Sequence, residues 1–347
     1  MSREQFVDKL ADFDEARLKK ALWNLYWRGS AAMRERIEAQ LDPEEHDRRK
    51  RSAKEPVDPA GVLDEVRDFV ALARSGAYMA GDRRVSPRER TRWRFTFSRL
   101  VAEAQAALRA ADIAEGATAL EQLIDLACQM RGYDYFHSED PVEAARFVVS
   151  DAVALLWARV RDQYGFAGFA ERAAPQLIRW ESPYGWTRSG YGRISQKETS
   201  LTQVLASMLQ VPDAWLGFAD RYLEALDRLA GGQPARTSRS WQSADWDRDQ
   251  RTAALAEWHV LLLDRLTGGE AEDRLDKLVR HRALGGPELK FFQARLAHQR
   301  GDVSKACTLV HESLEKLPGH PDFRDFATRI GAPLPSRAQQ IVKERSR

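Results

Sequence analysis

The sequence predicts an all-α fold: an array of helical hairpins, solenoid-like or bundled irregularly, with a small helical unit at the N-terminal end. Three observations predict it. Apolar residues recur at spacings of three and four along most of the chain. Strand-like alternation over five or more residues is absent. Ala, Leu, Arg and Glu, all good helix formers, dominate the composition.

A chain of 347 residues can bury a full core and has room for two or three domains. Its 43% hydrophobic and 31% charged residues suit a well-folded chain rather than a disordered one. The formal charge of +2 does not demand a nucleic-acid partner, so only local clusters of arginine could supply one. Cys128 and Cys307 both lie in apolar helical patterns and are expected as buried free thiols in a reducing compartment. No signal-peptide pattern opens the sequence, and no apolar run approaches the ~18 residues of a membrane span. A cytoplasmic protein without a membrane partner is therefore expected, and the Arg- and Ala-rich composition suggests a bacterial source.

Residues 1–42 form the small helical unit. Asp14 is placed to cap a helix carrying Leu18, Leu22, Leu25 and Tyr26. Gly29 and Ser30 break it, and Met33, Ile37 and Leu41 mark a second helix. Residues 43–60 contain the run Arg48, Arg49, Lys50, Arg51 and, beyond Pro43, the prolines Pro56 and Pro59, with almost no apolar residue, which predicts a flexible linker.

Residues 61–232 read as one helical domain. Val62, Val66, Phe69, Val70 and Ala73 make the first stripe. Trp93, Phe97, Leu100, Val101 and Ala104 make the second, behind the Ser86-Pro87 start signal. Leu120, Leu123, Ile124 and Ala127 make the third. A long apolar helix follows Asp140-Pro141 with Phe147, Val148, Val153, Leu155, Leu156 and Trp157, expected to be buried on most sides. Two further helices are expected around Leu201 to Leu209 and around Trp215 to Leu226. Aromatic loops at 132–137 and 181–194 interrupt the series. After a polar connector, residues 240–335 read as helical hairpins, with Leu255, Trp258, Leu262 and Leu266 on one helix and Leu275, Leu278 and Val279 on its partner. Residues 336–347 read as a polar tail.

Residues 287–321 carry the clearest pattern: two amphipathic helices around a Gly301-Asp302 turn, with Pro318 after the second. Ala294 on the first helix, and Ala306 and Ser313 on the second, are small where the helices would touch. This stretch resembles a tetratricopeptide repeat, whose period is about 34 residues. It departs from that pattern at Lys290, where an aromatic is usual, and at Gln293, where leucine is usual. The resemblance implies a curved surface that holds a partner peptide, whereas an ordinary hairpin in a larger bundle would fit the same residues. Residues 14–41 resemble a SAP-type module that contacts DNA, through Leu18, Leu22, Gly29, Arg36 and Ile37, although the lysine usual after the glycine is missing.

The chemistry-bearing side chains do not assemble into a known catalytic pattern. Asp134, His137, Glu139 and Asp140 cluster, yet Asp140-Pro141 has the form of a helix start, so a structural loop is expected. No nucleophile elbow, reactive-cysteine context or phosphate-cradling glycine spacing occurs. A non-enzymatic scaffold or adaptor without cofactor or metal is the first expectation. Its partner protein would be read by Lys290, Arg295 and His298 on the first repeat helix, and by Trp186 and Tyr191 in the second aromatic loop. The alternative is a nucleic-acid-associated regulator. It would use the basic segment with Arg88, Arg92 and Arg94, where Arg88 and Arg92 fall one helical turn apart, together with Arg28 and Arg36 of the N-terminal unit.

Overall fold

Every regular element in the computed structural model is a helix, and this holds over the residues it describes: 57–231, 241–268, 271–345, 13–28, and positions 5, 7, 10, 11, 33, 37, 40 and 41. The chain divides into two compact units, Met1–Val57 and Asp58–Arg347. The expected linker lies outside the described residues apart from positions 57–60, as do Gly29, Ser30 and Arg36.

In the first unit, α1 (Glu15–Arg28) begins where Asp14 Oδ1 accepts from the Arg17 amide at 2.7 Å. None of its residues is buried. Leu18, Leu22, Trp23, Leu25 and Trp27 are all exposed, and the Trp23 ring stacks on Trp27 at 6.0 Å.

The second unit opens with α2 (Pro59–Arg74), α3 (Pro87–Thr91), α4 (Trp93–Ala107) and α5 (Ala114–Met130). The three expected stripes are buried, and Phe69, Tyr78, Trp93 and Phe136 meet in one aromatic cluster. Ser86 caps the start of α3: the Glu89 amide donates to Ser86 Oγ at 3.2 Å, and that hydroxyl donates to the Glu89 carboxylate at 2.7 Å. After α6 (Pro141–Ala145) comes α7 (Val149–Trp180).

The long apolar helix expected over Phe147 to Trp157 is present as the first part of α7, starting at Val149 rather than at Phe147. Gly165 takes φ 69° and ψ −175°, which breaks α7 into two arms. The arms fold back on each other, since Trp157 and Gln176 are hydrogen-bonded and the Trp157 and Phe169 rings lie 6.2 Å apart. Leu155, expected inside, is 37% exposed because it lies on the outer side of its arm.

The remainder is a series of short helices: α8 (Leu201–Met208), α9 (Pro212–Gly231), α10 (Trp241–Ala254), α11 (Ala256–Leu266), α12 (Glu272–Val279), α13 (Gly286–Gln299), α14 (Val303–Lys316), α15 (Pro321–Arg329) and α16 (Ser336–Arg345). The principal packing contacts join helices no more than three places apart in the chain. Residues 61–232 and 240–335 thus share one unit through serial packing rather than standing as separate bodies.

The α13–α14 hairpin turns at Gly301 (φ 83°), and Asp302 accepts from the Lys305 amide at 3.0 Å to start α14. Ala294, Ala306 and Ser313 are each fully buried at the helix contact. The expected polar tail is instead helical as far as Arg345, because Ala338 supplies an apolar contact to the core of Phe291, Val310, Leu314 and Phe323.

Candidate functional site

A groove of about 720 Å³ opens in the second unit. One wall is α10 and α11, which meet at the buried Leu255 and contribute Trp246, Asp249 and Glu257. The opposite wall is α13 with Glu288, Phe291 and Arg295. The α14–α15 turn adds Leu317, His320 and Asp322, and the start of the second aromatic loop adds Glu181 and Tyr184.

Local sequence places each of these groups. α10 is a polar helix that packs along α13, leaving the Trp246 indole 62% exposed above the groove. Asp249 comes so close to the chain at Gly286 that a Cβ there would stand 2.6 Å from its carboxylate carbon. Gly286 also holds φ 79°, so glycine is required twice over. Burial pushes the Asp249 carboxyl above its ordinary range. Glu257 accepts from the Gln203 side chain at 3.0 Å.

His320 stacks on Phe323 at 4.0 Å and pairs with Glu288 at 3.1 Å, and that carboxylate raises its pKa. Its Nδ1 is buried and makes no hydrogen bond. His259 is almost wholly buried; its Nε2 shares a 2.8 Å hydrogen bond with the Tyr222 hydroxyl, and burial pushes its pKa down to about 3. It is a neutral core histidine whose ring reaches the groove.

Arg295 is the group without a partner. Half-buried in the groove, it makes no ion pair or hydrogen bond with the described residues, and burial lowers its pKa. Five N–H donors therefore face a hollow with carboxylates nearby but none in contact.

Of the five residues expected to read a partner, only Arg295 lines this groove. Lys290 is turned toward α14 and ion-paired with Glu312. His298 is exposed, with its ring edge-on to Phe326 at 5.6 Å. Tyr191 is 82% exposed but outside the groove. Trp186 is corrected from surface to core: it is 3% exposed, and its indole N–H donates to the Trp180 carbonyl at 2.8 Å.

That burial follows from how the aromatic loops are anchored. Arg131 bonds Ser182 Oγ and the Gly185 carbonyl. Arg188 bonds the carbonyls of Met130 and Tyr133 and pairs with Asp134 at 2.7 Å. Asp140 accepts from the amides of Glu143 and Arg188, and Glu143 accepts from those of Ile194 and Ser195. Glu181 caps the start of α8 through Thr202, while Glu198 caps the start of α7 through Val149 and Ser150. Arg131, Arg188, Asp134, Asp140 and Glu143 thus hold the two loops in place. No group of three or more potential metal-ligating side chains gathers among the described residues.

Of the second set, Arg88, Arg92 and Arg94 are exposed and outside any ion pair, and α3 ends at Arg92, where α4 begins. Arg28 is exposed in the last turn of α1, and Arg36 lies outside the described residues. Both cysteines are free, and burial pushes the Cys128 thiol above its ordinary range. No helix among the described residues is long and apolar enough to cross a membrane.

Trp246, Glu257, His320 and Asp322 escaped the sequence reading. A tryptophan in an otherwise polar stretch was the one available signal. No protein-family model, curated protein or solved structure matches the chain.

Proposed function

We propose that this chain is a non-enzymatic helical adaptor that holds an extended, basic segment of a partner protein in the groove between α10–α11 and α13. The observation that carries the reading is the unpaired Arg295 in a groove walled by an exposed tryptophan and several carboxylates. An extended backbone presents carbonyls to which Arg295 can donate. A lysine or arginine side chain on that segment would lie over Trp246 or Tyr184 and meet Asp249, Glu257 and Asp322. Carboxylates outnumber Arg295 and His320 on the groove walls, so an acidic segment would meet repulsion. The resemblance of α13–α14 to a tetratricopeptide hairpin supports the same reading, because Arg295 stands on the first helix of that hairpin.

The test is fluorescence anisotropy of the full chain with short labelled peptides that are basic, acidic or neutral. Basic peptides should bind, and Trp246→Ala and Glu257→Lys should each weaken them about tenfold or more. Equal binding of acidic peptides, or affinities indifferent to both substitutions, would overturn the proposal.

A further inference from the structure

The junction of α3 and α4 builds a second surface, distinct in chemistry from the acidic groove. Phe95 is 56% exposed on the first turn of α4, a position where a core-facing helix would ordinarily carry a polar residue. Two guanidinium groups lie over its ring, Arg94 at 4.8 Å and Arg92 at 5.8 Å from the centroid. Phe95, Arg88 and Arg92 line one shallow hollow of about 510 Å³.

The arginines of this segment divide into two groups. Arg84 is held by Asp82, Arg90 donates to the Met79 carbonyl, and Arg99 is held between Glu65 and Glu103. Those three are structural. Arg83, Arg88, Arg92 and Arg94 are exposed and make neither ion pairs nor side-chain hydrogen bonds with the described residues. The single carboxylate in the hollow, Glu89, accepts a hydrogen bond from the Ser86 hydroxyl. With Glu89 the one carboxylate among them, Arg88, Arg92 and Arg94 leave a net positive charge around the exposed Phe95 ring.

We infer that this surface binds single-stranded nucleic acid. An acidic protein would be drawn by the charge, but its carboxylates have no stacking to offer the exposed Phe95 ring. A duplex offers phosphates with its bases already stacked inside. A single strand offers both, phosphates for Arg88, Arg92 and Arg94 and an unstacked base for the exposed part of the Phe95 ring, and the guanidinium groups over that ring extend the stacking platform. Recognition is by charge and stacking, so it is tolerant of sequence.

The experiment is an anisotropy titration of the full chain with labelled oligo-dT, oligo-U and a DNA duplex of equal length, at about 50 and 200 mM salt. Both single strands should bind more tightly than the duplex, with affinity falling as salt rises. Phe95→Ala should weaken single-strand binding about tenfold while Phe95→Trp retains it. Replacing Arg88, Arg92 and Arg94 together by Gln should abolish binding at the higher salt and reduce the slope of log affinity against log salt by about two. Circular dichroism and melting of each variant should match the unsubstituted protein, since all four side chains are exposed. No binding at the lower salt overturns the inference. So does an affinity indifferent to Phe95→Ala, or a labelled polyglutamate that binds as well as oligo-U.

Discussion

The indole N–H of Trp157 donates to the side-chain oxygen of Gln176 at 2.8 Å, tying the two arms of α7 across the reversal at Gly165. The backbone at Gly165 occupies a region open essentially to glycine alone, while no atom crowds the space a Cβ would fill. Replacement by alanine therefore costs strain and nothing else. Gly165→Ala should destabilise the protein by ~1–3 kcal/mol, read as a lowered urea midpoint. Gln176→Leu should cost a similar ~1–3 kcal/mol by leaving the buried indole N–H unpaired. An unchanged midpoint for both variants would mean that the arms do not reverse at this point.

That reversal also shows where the sequence stops being legible. The stripes of α2, α4 and α5 declare themselves because each helix buries one face, so periodicity reports the core directly. Start signals were equally plain where a side chain bonds its own backbone, as at Asp14, Ser86 and Asp302. Gly165 gave no such sign. Gly165 and Gly168 within a helical pattern read as tolerated interruptions, and only the contact of Trp157 with Gln176, 19 residues on, distinguishes a turn. Trp186 was misplaced for a related reason. Its loop is rich in glycine and arginine, a surface composition, but Arg188 bonds the carbonyls of Met130 and Tyr133 while Arg131 bonds that of Gly185, and together they close the ring inside. The groove is a meeting of α10, α11, α13 and two loops, and no local pattern encodes such a meeting. Arg295 was legible because its own helix face was, and Trp246 was not, because α10 has almost no apolar stripe to betray it.

Two histidines should titrate in opposite senses. His259 lies beside Tyr222 with its pKa pushed down to about 3, so the folded protein keeps it neutral while the unfolded chain protonates it near pH 6.5. Its contribution to stability is present above pH 6.5 and lost as pH falls, at about 1.4 kcal/mol per pH unit. His320 is raised by Glu288, so its contribution is fully present below pH 6.5 and lost as pH rises through its folded pKa. In an NMR titration the His320 ring signals should shift with a midpoint above 6.5, while those of His259 stay fixed down to acid unfolding. A His259 midpoint near 6.5 in the folded protein would contradict its burial against Tyr222.

The two aromatic-loop residues first taken for partner contacts should separate cleanly in stability. Trp186 fills a buried site, and Trp186→Ala should cost ~3–5 kcal/mol. Tyr191 stands in solvent, and Tyr191→Ala should fall within about 0.5 kcal/mol of the unsubstituted protein. Thermal melts of the two variants decide it, and similar values for both would mean that the Arg131 and Arg188 anchors do not hold the loop as described.

Glu198 gives the sharpest test of how the loop, α7 and α8 are joined. Its carboxylate accepts from the Val149 amide at 2.7 Å, the Ser150 amide at 2.9 Å and the Ser150 hydroxyl at 2.6 Å. Three donors at the first turn of α7 thus depend on one side chain from a distant segment, because Val148 at the cap position has no side-chain acceptor to offer. Glu198→Ala should leave those donors unpaired and cost ~1–3 kcal/mol. Glu198→Gln keeps an oxygen for one amide but turns an N–H₂ group toward the others, so it should recover only part of the loss. Hydrogen exchange localises the effect: amides in the first turns of α7 and α8 should lose protection in Glu198→Ala, while those of α13 and α14 keep theirs. Uniform loss of protection across the second unit would instead mark Glu198 as an ordinary packing residue and remove its role as a helix cap.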